Sequence, residues 1–176
     1  EVETDVSPAV AAQLVAAIER LVPESDVVVL EDYNKGVLVP SVARGALAAA
    51  ATHGIPVIVD PKRRNFFAFG GATVFKPNAK ELADALGDFI HPDRADWMEE
   101  ARVRLECQNL LLTQGEHGMS LQTHEADHVR VPTVARAVYD VSGAGDTVTA
   151  VVAVALASGA SVEESAILAN HAAAVE

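Results

Sequence analysis

Three short apolar runs, Val27-Val28-Val29-Leu30, Ile55-Pro56-Val57-Ile58-Val59 and Leu110-Leu111-Leu112, alternate with stretches of helical periodicity, and this alternation constrains the fold more than any other feature. A continuous apolar run too short for a helix suits a strand buried on both faces, and parallel strands of that kind need helical crossovers between them. The spacing predicts those helices. Ser7-Pro8 is an N-cap and first-turn signal for a helix from Ala9 to Leu21, ended by Pro23, and a second helix runs from about Ser41 to His53 and stops at Gly54. A strand Ala72–Phe75 precedes a helix Ala79–Leu86, and a helix Asp93–Leu105 leads to the strand at Leu110. From Gly118 the pattern becomes alternating, Met119–Thr123 and Val129–Pro132, which predicts antiparallel strands at one side of the sheet. Two helices follow, about Ala144–Ala157 and Val162–Ala174. The expected class is α/β, a mostly parallel sheet covered by helices on both faces with an antiparallel edge, in one domain.

Charge and composition narrow the partners. Thirteen basic against 25 acidic side chains, a net charge of −12, disfavour nucleic acid and anionic membrane surfaces. The longest apolar stretch, Val148–Ala157, is interrupted by Thr149 and falls well short of the roughly 20 residues of a membrane helix. Cys107 is the single cysteine, and Glu1–Asp5 is acidic where a secretory leader would be basic. Both features point to a reducing, cytoplasmic location.

In parallel sheets of this type ligands bind where strands end and helices begin. Asp32, Asp60, Asn78, Thr113 and Asp146 all fall at such junctions. The sharpest motif is Asp140-Val141-Ser142-Gly143-Ala144-Gly145-Asp146-Thr147, directly before a long apolar helix. Its glycines allow a tight turn and close approach of a ligand, and the first-turn amides present positive charge to an anion such as a phosphate. Asp146 would repel that phosphate, yet it is well placed to take a proton from a hydroxyl attacking it. The plainer reading is a Gly-rich turn with an acidic residue on the helix dipole. No Lys-Ser/Thr follows the glycines, as a Walker loop requires, and no G-x-G-x-x-G opens a dinucleotide site.

Lys76-Pro77-Asn78-Ala79-Lys80-Glu81 opens a helix at a strand end, with Asn78 and Glu81 three apart on one side of the first turn. An amide and a carboxylate there could hold hydrated Mg²⁺ beside a triphosphate, and the same residues form the pattern of a capping box. Thr113-Gln114-Gly115 could cradle phosphate or be a plain turn. His124-Glu125-Ala126-Asp127-His128 matches the zinc-protease pattern H-E-x-x-H, but it lies between two alternating strands, with Glu125–Asp127 as a hairpin turn. Two histidines on a hairpin do not share a helical face, so no metalloprotease is expected.

In their order along the chain, Asn78-x-x-Glu81, Thr113-x-Gly115, Gly143-Ala144-Gly145-Asp146 and Ala169-Asn170 resemble the ribokinase-like (PfkB) carbohydrate kinase family. Within it, Glu31–Leu38, Val59–Lys62 and Tyr139–Val148 look most like the bacterial D-glycero-β-D-manno-heptose-7-phosphate kinases. The resemblance implies a ribokinase-like fold, of which this chain would be the C-terminal portion. The first strands, the β lid and a di-glycine segment would precede Glu1, and the chain would stop inside the helix that carries Asn170. Glu31 departs from the family, where Ser is frequent, as does Val151, where a small residue is frequent.

Several roles follow from the resemblance alone. ATP and Mg²⁺ are the implied cofactors, and the reaction is phosphorylation of a sugar hydroxyl. Asp146 would accept the proton while the Gly143, Ala144 and Gly145 amides stabilise the γ-phosphoryl group. Asn78 and Glu81 would organise Mg²⁺ through its waters, Lys76 and Lys80 would touch phosphates, Thr113 and Gly115 the nucleotide, and Asn170 the adenine region. Asp32, Lys35, Asp60 and Lys62 would line the substrate crevice. The implied partner is a small sugar phosphate. A homodimer and a fused or separate adenylyltransferase are the assemblies it allows. The competing readings are another sugar or nucleoside kinase and a non-catalytic nucleotide-binding module.

Overall fold

A computed structural model describes residues 4–133 and 143–174. Six strands form one sheet in sequence order: β1 (Val28–Glu31), β2 (Val57–Asp60), β3 (Val74–Phe75), β4 (Asn109–Thr113), β5 (Met119–Gln122) and β6 (His128–Val131). β1 to β4 are parallel, and β5 and β6 run antiparallel beside them. The helices are α1 (Pro8–Leu21), α2 (Pro40–His53), α3 (Ala79–Leu86), α4 (Ala95–Arg104), α5 (Ala144–Ala157) and α6 (Val162–Ala173).

The period-two geometry of a strand decides which helices each residue meets. Val57, Val59, Leu110 and Leu112 point to the face covered by α2, α3 and α4, where they pack with Ala46, Leu82 and Met98. Their neighbours Ile58 and Leu111 point the other way, onto Val148 and Val152 of α5 and Ala166 and Ala169 of α6. Continuous apolar runs are therefore what a sheet covered on both sides needs. Small residues on α2, with Ala43, Ala46 and Ala50 wholly buried, let that helix approach closely.

Local signals set the helix ends. The Ser7 side chain accepts from Val10 N at the start of α1, and Gly54 ends α2 with φ +67. α6 opens on a reciprocal capping box between Ser161 and Glu164. Two predicted strands are shorter than their apolar runs. β2 begins at Val57, after Pro56, which has no N–H to donate. β3 is reduced to Val74–Phe75, and the side chain of Thr73 instead accepts from Val57 N at 3.0 Å. α4 begins at Ala95 instead of Asp93, because Arg94 is extended and serves as N-cap, while Asp93 pairs with Arg130 of β6.

The H-E-x-x-H residues lie on the turn between β5 and β6, with Ala126 at φ +70 and His128 opening β6. His128 Nε2 is 3.0 Å from Pro92 O. Cys107 is buried, and burial pushes its thiol up to about 12, so it is unreactive. Among the described residues no helix is long and apolar enough to cross a membrane.

Candidate active site

Because β1 to β4 are parallel, their C-terminal ends deliver Glu31, Asp60, Lys76 and Thr113 to one rim of the sheet. The N-terminus of α5 reaches the same rim: Thr149 Oγ1 lies 3.4 Å from Asp60 Oδ2, and Tyr33 beyond β1 donates to Asp146 Oδ2 at 3.2 Å. The structure therefore brings Asp60 and Asp146, expected at strand–helix junctions, to this rim together with Glu31, Tyr33 and Thr149. Tyr139 to Ser142 of the glycine motif lie outside the described residues.

Gly143 is the N-cap of α5 with φ +93, a left-handed conformation that favours glycine, and having no side chain it cannot itself cap this helix. The first turn of such a helix presents backbone amides and a positive dipole end, the chemistry an anion site uses. Asp146 projects from the same first turn and is exposed. Thr149 donates to Gly145 O at 3.0 Å, which ties the turn to the strand ends below it.

Beneath the turn is a buried ion pair. Lys76 Nζ lies 2.8 Å from Asp60 Oδ2, with side-chain exposures of 3% and 5%. Lys76 sits beneath Gly145, where an added Cβ would come 3.8 Å from Nζ. Lys76 thus lies under the first turn of α5 while paired with Asp60, and Lys80 points outward to pair with Asp84. Asp60 likewise faces protein groups: Lys62 approaches its Oδ1 at 3.4 Å and reaches Glu81 Oε1 at 2.6 Å. Burial works against the Lys62 charge, but the Glu81 hydrogen bond and the Asp60 carboxylate outweigh it and hold its pKa above the ordinary lysine value.

Asn78 and Glu81 form the capping box of α3. Asn78 Oδ1 accepts from Glu81 N at 2.8 Å, and Glu81 Oε2 accepts from Asn78 N at 2.9 Å. Thr113 is joined to this corner by a parallel bridge with Asn78. Asp32 is buried, with Oδ1 accepting from Asn34 N at 2.8 Å, so it shapes the loop after β1 that also holds Lys35. Gly115 lies in the turn after β4 with φ +56. Asn170, in α6, donates to Pro132 O at 2.7 Å beyond the end of β6.

Residues 4–176 match the pfkB family carbohydrate kinases, over nearly the whole chain. The chain belongs to the pfkB family. It is 47% identical over 169 residues to the bifunctional protein HldE of Caulobacter vibrioides, which covers 94% of this chain and 35% of that protein. It is 42% identical over 177 residues to the same-named protein of Paramagnetospirillum magneticum, covering 99% of this chain and 36% of the relative. The chain thus spans about a third of the length of these curated relatives. Arabidopsis thaliana ribokinase complexed with ribose and ATP superposes with a TM-score of 0.73 at 25% identity, over 89% of this chain and 51% of that one. Escherichia coli phosphofructokinase-2 gives 0.81 at 22% identity, over 97% and 56%, a likeness of fold. The pfkB membership agrees with the ordered motifs, and the ribokinase-like fold was fully expected from them.

Three members of this pfkB site carried no expectation of their own. Glu31, Tyr33 and Thr149 all approach the Asp60–Asp146 pair, and carboxylate oxygens of Glu31, Asp60 and Asp146 lie within 4.8 Å of one another. A signal existed for Thr149, the one polar residue in an apolar helical stretch, and for Glu31, an acidic side chain at the end of an apolar strand run. Glu31 Oε1 is buried without a hydrogen-bond partner. Desolvation, then the nearby Asp146 and Asp60, raise the Glu31 pKa above its ordinary 4.5.

The raised value fixes the sign of a pH effect. The folded chain binds the Glu31 proton more tightly than the unfolded chain, so this contribution to stability is complete below the unfolded pKa and lost as pH rises through the folded one. Glu31→Gln, which stays neutral, is therefore expected to raise Tm at pH 7 to 8, with the gain shrinking below about pH 4.5. Melting curves of both proteins across that range check it; a gain that persists unchanged at pH 4 would mean that charge is not its cause.

Proposed function

We propose that this chain is the phosphoryl-transfer portion of an ATP-dependent sugar kinase whose acceptor is D-glycero-β-D-manno-heptose 7-phosphate, giving the 1,7-bisphosphate. The observation that carries the kinase reading is the pairing of a helix N-terminus that opens on a left-handed glycine with a carboxylate in its first turn, at Gly143 and Asp146. A site that only binds anions gains nothing from that carboxylate. A site that transfers a phosphoryl group to a hydroxyl uses both: the amides stabilise charge on the moving group, and the carboxylate accepts the hydroxyl proton. The heptose reading is supported by the sequences around Glu31–Leu38 and Val59–Lys62 and by the similarity to the HldE proteins.

The reaction then needs little beyond placement. The acceptor hydroxyl lies against Asp146, the γ-phosphoryl group against the Gly143, Ala144 and Gly145 amides, and the hydroxyl oxygen attacks the γ-phosphorus in line as Asp146 takes its proton and the bond to the β,γ-bridging oxygen breaks, releasing ADP. Thr113 and Gly115 are the nucleotide side of the site, and Asn170 its adenine end. Lys35 and Lys62 are the cations assigned to the phosphate of the sugar, Lys62 from within its pairing with Glu81 and Asp60. Mg²⁺ bound with ATP would neutralise phosphate charge. The donor set near α3 fits it through water: both Glu81 oxygens already accept one hydrogen bond each, from Asn78 N and Lys62 Nζ, and a carboxylate oxygen has lone pairs for a second. The name "bifunctional" given to the relatives, and the third of their length spanned here, support a separate adenylyltransferase unit in the whole protein.

The test is ATP-dependent ADP release by the full-length protein with Mg²⁺, against heptose 7-phosphate, ribose, fructose 6-phosphate and adenosine. Turnover of heptose 7-phosphate alone is the expected result. Turnover of another sugar instead would keep the kinase and discard the heptose, and NADH binding seen by spectral titration with no phosphoryl transfer would discard both.

A further inference from the structure

Asp146 has a partner that the kinase reading does not use. The Tyr33 hydroxyl donates to its Oδ2 at 3.2 Å, across 113 residues of sequence. Tyr33 is 53% exposed, so burial of its ring does not explain where the side chain lies. Its backbone does. The loop after β1 is held at three points: Asp32 N donates to Asp60 O at 3.0 Å, Asp32 Oδ1 accepts from Asn34 N at 2.8 Å, and Asn34 Oδ1 accepts from Arg64 N at 3.2 Å. Asn34 takes a left-handed φ of +56, and Gly36, at φ +76, lies against the backbone of Thr4 so closely that a Cβ would fall 2.2 Å from its carbonyl oxygen. Between these fixed points Tyr33 is directed at the first turn of α5.

A carboxylate at an exposed first-turn position rotates freely about its last torsion, which has only broad preferences. A base in that position needs something to fix its plane, since a proton is accepted along a lone pair and small misplacements are costly. Tyr33 supplies one donor to one named oxygen. Its phenol is pushed up to about 12, first by its hydrogen bond with Glu31 and then by desolvation and by Asp146, so it remains protonated across the neutral range. A protonated phenol beside two carboxylates donates, and although Glu31 competes for its single proton, the Asp146 Oδ2 atom lies within hydrogen-bond distance at 3.2 Å.

We propose that Tyr33 is a positioning residue for Asp146: its hydroxyl holds Oδ2 and so turns Oδ1 toward the acceptor hydroxyl. This rests on the kinase reading, in which Asp146 is the base. Tyr33 touches neither the nucleotide nor the moving phosphoryl group in this arrangement, and acts through the carboxylate it orients. Substrate affinity therefore belongs to other residues.

The test is a double-mutant cycle in the full-length protein with Tyr33→Phe, Asp146→Asn and the pair, followed by ADP release under saturating substrates. Tyr33→Phe is expected to lower kcat roughly tenfold while leaving both KM values within about twofold, the mark of an interaction made for the chemical step. In the Asp146→Asn background the same change should cost almost nothing, because a residue that acts through the base has nothing left to orient. A kcat unchanged by Tyr33→Phe overturns the proposal. So does a loss confined to the KM of the sugar, which would make Tyr33 a binding residue, or a loss that multiplies fully with Asp146→Asn, which would make it a structural one. A wild-type protein silent toward every sugar overturns the kinase reading itself and Tyr33 with it, a different result from an active wild type indifferent to Tyr33→Phe.

Discussion

Asp146→Asn is expected to lower kcat for phosphoryl transfer by about 10² to 10⁴-fold, the range that positioned general bases contribute. The substitution keeps shape and removes the ability to accept a proton at neutral pH. Nucleotide affinity should stay nearly constant, because the amides of the α5 terminus are untouched and a repulsive charge beside the phosphates has gone. Affinity measured by calorimetry and turnover measured by ADP release therefore separate cleanly. If Asp146 only stabilised the helix dipole, the outcome would invert: a small loss of stability, worth a few tenths to about 1 kcal/mol, with turnover preserved. The two roles that the sequence leaves open for this residue thus predict opposite results in the same pair of assays.

The sheet was readable because a strand covered on both faces has to be apolar at every position, as Val57-Ile58-Val59 is, and few other structures demand that. The antiparallel edge was readable for the complementary reason, a change from continuous to alternating pattern at Gly118. Strand ends were harder to place, since Pro56 removes a ladder donor and Thr73 replaces a backbone bond with a side-chain one, details invisible to periodicity. The site divides in the same way. Residues at strand–helix junctions were located by topology alone, but what each one faces depends on neighbours distant in sequence. Lys76 could not be read as a buried cation without knowing that Asp60 ends the adjacent strand, nor Tyr33 as a partner of Asp146 across 113 residues of sequence. Asn78 and Glu81 show a third situation: the capping box is present, and the same two side chains remain compatible with a hydrated cation, so local geometry does not choose between structure and function.

The buried Lys76–Asp60 pair is where stability and function meet, and Lys76→Met should expose that. Methionine matches the lysine stem in length and apolar contact, so the substitution removes the charge with little change in packing. Among the described residues it leaves the Asp60 carboxylate, 4% exposed, with the longer contact to Lys62 at 3.4 Å and the Thr149 hydroxyl at 3.4 Å. Removing one partner of a buried pair costs about 3–5 kcal/mol, and for a chain of this size each kcal/mol lowers Tm by roughly 2–4 °C. The expected fall is on the order of 10 °C, read by thermal melting and by the urea midpoint. Combining Lys76→Met with Asp60→Asn should recover part of it, because the uncompensated charge is then gone. A double variant less stable than Lys76→Met alone would show instead that Asp60 stabilises the fold through Thr149 and Lys62 more than through Lys76. Under the pairing account, kcat should remain depressed even in the recovered double variant, since Lys76 also supports Gly145 from beneath. Restored stability without restored turnover would locate the function of the ion pair in the placement of the phosphate-facing turn.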